Sequence, residues 1–182
     1  MSGRVFESRV WVPRPREEVF AFFTDPRTLT RIMPPRFAVQ LLTPPVVIAA
    51  GAVLDYRVSV VGVPVRWRAF IREYDPPVRF VDVQLNGPCN LWDHRHLFLE
   101  EQGGTWVEDR IAYQLPFGPL GEWAHALFAR RALAAVWEYR TRRIGELIGP
   151  VSPGPPRREA SRMRKDPQAA QKAQMQGGHS PS

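Results

Sequence analysis

The pattern of hydrophobic residues near the start of the chain predicts one strand followed by two short helices. Residues 6–12 favour a strand, and Pro15 is well placed as the first residue of a helix. That helix ends at Asp25, because the residue before a proline disfavours helical backbone. A second short helix is predicted over Thr28–Met33. The predicted buried stripe of the first helix is Val19, Phe20, Phe22 and Phe23.

Alternating hydrophobic and polar residues between Phe37 and Leu115 predict a run of strands. The later strands are separated by short segments centred on Gly or Pro, such as Gln102-Gly103-Gly104. Such links are too short for the crossovers that parallel strands need, so we predict an antiparallel meander. The predicted strands are Phe37–Leu42, Val53–Val61, Val65–Tyr74, Arg79–Leu85, Leu91–Glu100 and Trp106–Leu115.

From Pro119 to Gly149 the apolar residues recur at spacings of three and four, which predicts one long helix. A helix of this length is about 43 Å long and needs a large apolar surface to lie on, which the sheet supplies. We therefore predict an α+β fold in which a curved antiparallel sheet wraps around a long C-terminal helix. Such a sheet leaves an apolar cavity beside the helix, and cavities of this kind bind ligands. The predicted helix stripe is Leu120, Trp123, Leu127, Ala134, Trp137, Ile144 and Ile148.

Positive charge is distributed unevenly over the 182 residues, and the composition changes after Gly149. The formal net charge is +7, and residues 150–182 hold six basic and two acidic side chains, six prolines and no Phe, Trp or Tyr. We predict a ligand-binding domain over 1–149 and a disordered, basic, Pro-rich tail over 150–182. The tail has no Phe, Trp or Tyr to stack on a base, so we expect no specific nucleic-acid binding. Weak contact with a polyanion or a membrane surface is an alternative to a purely solubilising role.

The inventory of special residues excludes several classes of protein. Cys89 is the single cysteine, which excludes an intramolecular disulfide and a Cys-based zinc site. No secretory signal, transmembrane segment, P-loop or dinucleotide-binding glycine motif is recognisable. We therefore expect a soluble cytoplasmic protein without a cofactor, and the sequence leaves its oligomeric state open.

The strand over Leu91–Glu100 carries the strongest group of polar residues. Because side chains alternate across a strand, His94 and His96 share one face with the aromatic residues Trp92 and Phe98. Two imidazoles between two aromatic rings are typical of a face that lines a cavity. The turn at Gln102–Gly104 brings the next strand alongside, so Asp109 is expected to approach one histidine and fix its tautomer.

Three interpretations of the two histidines remain open. With Asp109 they form candidate catalytic groups for general acid/base chemistry. With Asp82 or Asp109 they have the donor types of a metal site. The interpretation we favour is that hydrogen-bonded histidines shape a pocket, and we expect no bound metal. The arginines of the predicted strand Val65–Tyr74 (Arg66, Arg68 and Arg72) are expected on its solvated outer face, with one at the pocket mouth as the alternative.

The order of elements and several motifs resemble the helix-grip fold of the START-like, or SRPBCC, superfamily over about residues 4–148. The matching motifs are Val19–Pro26 with Leu29, Gly62–Trp67, Asp75–Pro77 with Phe80–Asp82, Gly87-Pro88 with Trp92, His94 and His96, and Asp109 with Tyr113, Pro116, Gly118 and Gly121. The superfamily includes lipid-transfer domains, polyketide cyclases and dehydratases, and the chain is most similar to bacterial cyclase/dehydrase-like ligand-binding proteins. The resemblance implies a hydrophobic-ligand cavity, and it carries over no catalytic residue.

These observations predict binding of a hydrophobic small molecule, such as a lipid, polyketide or isoprenoid-like compound, in the cavity between sheet and C-terminal helix. The alternative is a cyclase/dehydratase-type enzyme that uses His94, His96 and Asp109 as its acid/base group. The predicted ligand-binding residues are Tyr56, Trp67, Trp92, His94, His96, Phe98, Tyr113, Trp123, Leu127 and Trp137.

Overall fold

An eight-stranded antiparallel sheet dominates the computed structural model, which describes residues 4–44, 47–116 and 130–155. Its spatial order is β2-β3-β4-β5-β6-β7-β1-β8. The strands are β1 Arg4–Val12, β2 Gln40–Leu41, β3 Val53–Val60, β4 Val63–Asp75, β5 Arg79–Asn86, β6 Leu91–Glu101, β7 Gly104–Gln114 and β8 Ser152–Pro153. The α-helices within the described residues are α1 Arg16–Thr24, α2 Pro26–Ile32 and α3 Arg130–Ile148, and a 3-10 helix spans Pro35–Phe37. The predicted α+β helix-grip architecture is confirmed.

Two-residue turns set the register of two hairpins of the sheet, β3–β4 and β6–β7. Val61 (φ 51°) and Gly62 (φ 81°) join β3 to β4, while Gln102 (φ 53°) and Gly103 (φ 73°) join β6 to β7. Two consecutive left-handed residues twist the chain in the sense that suits a tight hairpin. As a result β6 and β7 pair along their whole length.

Irregular pairing bends the sheet around the helices. The register between β4 and β5 shifts at Arg68/Ala69 and again at Ile71/Glu73, and such bulges bend and twist a strand. On the concave face, Trp137 of α3 packs against Ile111 of β7. Nearer its C-terminus, α3 packs through Ile144 into the cluster that contains Val10 of β1 and Val19 of α1, together with Phe20, Phe80 and Phe98.

The structure differs from the predicted elements between Phe37 and Leu42 and after Gly149. The predicted strand over 37–42 is reduced to β2, because the 3-10 helix occupies Pro35–Phe37 and Ala38 adopts left-handed backbone with φ 41°. Strand β8 pairs with β1 through Ser152 and Pro153, so ordered backbone continues past Gly149. The rest of the predicted tail, residues 156–182, lies outside the described residues, as does the predicted start of the long helix before Arg130.

The described helices are also too short or too polar to cross a lipid bilayer.

Candidate functional site

A cavity of about 820 Å³ lies between the concave face of the sheet and the helices. Strands β3 to β7 supply one wall, and side chains of α2 and α3 supply the other. Most of the lining is hydrophobic, as the alternation of inward and outward residues on these strands requires. The apolar lining includes Leu29, Ile32, Met33, Phe37, Val39, Ile48, Leu54, Val58, Trp67, Ala69, Ile71, Phe80, Trp92, Leu133, Val136 and Trp137.

The structure brings seven of the ten predicted ligand-binding residues to this cavity. They are Tyr56, Trp67, Trp92, His94, His96, Tyr113 and Trp137. Phe98 is fully buried beneath the wall, where its ring lies 5.2 Å from that of Phe20 and 5.5 Å from that of Phe23. Phe98 is therefore a core residue rather than a cavity residue. Trp123 and Leu127 lie outside the described residues.

Asp82, His94 and His96 line the cavity and form a compact buried group with Asp109, which does not line it, on three adjacent strands. Strand pairing places His96 opposite Asp109 and His94 opposite Asp82. Nε2 of His94 lies 3.2 Å from Asp109 Oδ1 in hydrogen-bond geometry. Nδ1 of His96 lies 2.8 Å from the same oxygen without that alignment, so this contact is an ion pair. On the other side, Asp82 Oδ2 lies 3.6 Å from His94 Nδ1 and 3.3 Å from His96 Nε2.

Helix α3 completes this group from above the sheet. The indole Nε1 of Trp137 donates a hydrogen bond of 3.0 Å to Asp109 Oδ2. Both oxygens of Asp109 are thus engaged, one by the histidines and one by the helix. The approach of Asp109 to the histidines, predicted from the Gln102–Gly104 turn, is present in the structure, and it joins the sheet to α3.

Mutual charge determines the protonation of this group. Burial alone would raise the pKa of Asp109, but His94 and His96 outweigh burial and hold that pKa well below its usual range. The same competition lowers the pKa of Asp82, chiefly through the contact with His96. Burial and repulsion by His96 lower the pKa of His94. For His96 the two carboxylates outweigh burial and raise the pKa. The pKa values of the two rings are therefore displaced in opposite directions, and His96 binds a proton more readily than His94.

Arg140 of α3 lines the same cavity and was not among the residues predicted from the sequence. Its side chain is 6% exposed, and its guanidinium carbon lies 4.6 Å from the centre of the Trp137 ring. Arg140 follows Trp137 by three positions and precedes Ile144 by four, so the helical spacing itself puts it on the buried stripe. A search for apolar residues alone passes over such a position.

A metal ion would find its ligands in Asp82, His94 and His96. One nitrogen or oxygen from each of these residues lies within 4.8 Å of the others. Two histidines and one carboxylate are a donor set that Zn²⁺ and Fe²⁺ accept. The remaining nitrogen of each ring faces Asp109, and the charge of Arg140 opposes a cation here. The expectation of no metal stays a prediction.

The other polar residues singled out in the sequence are not part of the buried group of Asp82, His94, His96 and Asp109. Arg66 and Arg68 both bind the carboxylate of Asp55 and are largely exposed, as predicted for the outer face of the sheet. Arg72 binds Asp93 on that face. Cys89 lines the cavity, but burial raises the pKa of its thiol to about 11, so the thiol stays protonated at neutral pH.

We expect the pKa of His94 to lie below the ordinary value of 6.5 and the pKa of His96 to lie above it. His96 gains stabilisation on folding that is fully present below that value and is lost as pH rises through its higher folded pKa. Asp109 contributes above its ordinary value and loses this contribution as pH falls through its lower folded pKa. Imidazole NMR signals recorded against pH test this, with His94→Gln and His96→Gln assigning the resonances. Titration of both rings at the ordinary value would contradict the assignment.

Comparison with known proteins agrees with this architecture. Residues 12–138 match a family model described as polyketide cyclase / dehydrase and lipid transport. The solved structure of TTHA0849 from Thermus thermophilus is 18% identical, covers 80% of this chain and 97% of its own, and has a TM-score of 0.65. A START superfamily protein from Mycobacterium smegmatis is 12% identical, covers 79% and 98%, and has a TM-score of 0.60. An AHSA1-like protein from Aeromonas hydrophila is 14% identical, covers 79% and 94%, and has a TM-score of 0.56.

No curated protein sequence matches the chain. The structural neighbours are too distant in sequence to show more than the fold. The family match, in contrast, spans well over half of the chain and includes the cavity strands and Trp137. The match places this chain in the polyketide cyclase / dehydrase and lipid transport family, and the structural neighbours show that its helix-grip fold is START-like.

Proposed function

We propose that this protein binds one hydrophobic small molecule, of lipid, polyketide or isoprenoid-like character, in the cavity between sheet and α3. The observation that carries the proposal is the cavity itself. Its volume of about 820 Å³ falls within the range of small-molecule sites in proteins, and its walls are mostly apolar. Removal of apolar ligand surface from water supplies the main driving force for binding.

Polar side chains at the cavity are held in fixed positions, as a specific binding site requires. The polar group at Asp82, His94, His96 and Asp109 is internally paired, so its side chains are held in place before a ligand arrives. Preorganised polar groups in an apolar cavity fix the orientation of a ligand at little entropic cost. This arrangement supports specific binding.

Titration with the apolar fluorophore N-phenyl-1-naphthylamine tests the proposal. Trp67, Trp92 and Trp137 line the cavity, so their emission should be quenched as the probe fills it. We expect saturation at one probe per chain, and no saturable signal from the protein unfolded in urea. Failure of the folded protein to give a saturable signal would overturn the proposal.

The same site supports a second candidate function, a cyclase or dehydratase. The observation that favours it is the adjacent pair of imidazoles on the cavity wall, whose ring centres are 3.8 Å apart and whose pKa values are displaced in opposite directions. The lowered pKa of His94 suits the role of proton acceptor, and the raised pKa of His96 suits that of proton donor. The two candidates differ in the fate of the ligand: a binding protein returns the compound unchanged, and a dehydratase returns it with the mass of water lost.

The remaining predictions concern the surroundings of the site. A cytoplasmic location, the absence of a specific nucleic-acid partner and a weak polyanion contact by the basic tail stay predictions. Most of the tail, residues 156–182, lies outside the described residues.

A further inference from the structure

Arg140 is a buried cation in a cavity whose walls are mostly hydrophobic. It extends from α3 into the lining, and 6% of its surface is exposed. Burial disfavours a charge unless the charged group is paired, and an arginine guanidinium carries five N–H donors. Trp137 and Ile144 on the same helix are also buried, and an apolar residue at position 140 would cost much less free energy to bury than the arginine does.

The guanidinium lacks a hydrogen-bonding partner among the described residues. Its contact is with the ring of Trp137, at 4.6 Å from the guanidinium carbon to the ring centre, and this leaves the N–H donors in the guanidinium plane unused. Nε of Arg140 is buried without an acceptor. Stacking on Trp137 thus positions the side chain, and its N–H donors remain available to a ligand.

The nearest carboxylates have their own partners. Asp109 contacts both histidines through Oδ1 and accepts the Trp137 indole N–H through Oδ2. Asp82 contacts both histidines through Oδ2. Their charges still favour the protonated form of Arg140, against the effect of burial, which lowers its pKa. Neither carboxylate lies within ion-pair distance of the guanidinium in the part of the chain that the structure describes.

We propose that Arg140 binds the carboxylate of an amphipathic ligand whose apolar body fills the rest of the cavity. A planar carboxylate matches the fork of guanidinium donors and can accept two hydrogen bonds from it. The apolar walls at Leu54, Ala69 and Ile71 suit an alkyl or polycyclic body. This inference rests on the proposed function and narrows its ligand class to monocarboxylic acids.

The test compares two ligands of equal chain length, dodecanoate and dodecan-1-ol, by displacement of N-phenyl-1-naphthylamine at pH 8. We expect the wild-type protein to bind the acid about tenfold more tightly than the alcohol, because only the carboxylate carries a charge opposite to that of Arg140 and accepts two parallel hydrogen bonds from it. Arg140→Met has a side chain of similar length without charge. It should lose the preference for the acid, so that acid and alcohol bind with similar affinity.

Each outcome of this comparison has one meaning. Equal affinity of the wild-type protein for acid and alcohol would overturn the role of Arg140 and leave the proposed function standing. A preference for the acid that survives in Arg140→Met would also overturn that role. Binding of neither ligand nor probe would overturn both proposals. If Arg140→Met does not fold, Arg140→Lys serves in its place, and we then expect the preference to shrink because lysine lacks the planar fork.

Discussion

Replacing Asp109 by alanine is expected to lower the free energy of unfolding by about 3–5 kcal/mol, the usual cost of removing one partner from a buried charged pair. The change leaves the Trp137 indole N–H and Nε2 of His94 without an acceptor, and it removes the carboxylate that pairs with His96. It also leaves the buried charge of Arg140 less compensated. Urea unfolding followed by circular dichroism measures the loss.

Asp93→Ala is the matched control, because it removes a carboxylate from the same hairpin. Asp93 binds Arg72 on the outer face, where both side chains are substantially exposed, and such a pair contributes about 0–1 kcal/mol. Asp109→Asn should fall between the two, since it keeps an acceptor for Trp137 but removes the charge. Equal, small losses for Asp93→Ala and Asp109→Ala would show that the buried group does not stabilise the fold.

Replacing Ala69 by tryptophan is expected to weaken binding of N-phenyl-1-naphthylamine by a factor on the order of 100, or roughly 2.7 kcal/mol. Ala69 lies on β4, opposite Leu54 of β3, and its small side chain lines the cavity. An indole at this position occupies space that the ligand needs, and a tightly packed sheet cannot move aside at low cost. Fluorescence titration measures the affinity.

Ala21→Trp supplies the control for the added indole. Ala21 is exposed on α1 and does not line the cavity, so the affinity of this variant should match that of the wild-type protein. Thermal unfolding should show that Ala69→Trp remains folded, because its new side chain enters existing space. A folded Ala69→Trp with unchanged affinity would place the ligand elsewhere.

Much of the fold could be predicted because its signals are local. The Gln102-Gly103 turn predicts that β6 and β7 pair as a hairpin. Side-chain alternation along the two paired strands then places His96 near Asp109, as the structure shows. The prediction was wrong where tertiary geometry overrides such signals. Phe98 shares a strand face with His96, yet the bend of the sheet turns that end of β6 into the aromatic core around Phe20.

Arg140 and β8 were missed for different physical reasons. A charged residue on an apolar stripe is usually an interruption, and only the cavity beneath α3 shows that Arg140 has space to be buried. Ser152 and Pro153 carry no strand signal, and their pairing depends on the open edge that β1 presents. The cavity volume likewise depends on the distance between helix and sheet, which periodicity does not encode.

Native mass spectrometry of the full chain with N-phenyl-1-naphthylamine tests the central claim, that the cavity holds a hydrophobic ligand, most directly. We predict one probe molecule on each wild-type chain and on each Ala21→Trp chain, and little or none on Ala69→Trp. The absence of a probe-bound species from the wild-type protein, or equal amounts on wild type and Ala69→Trp, would contradict the claim.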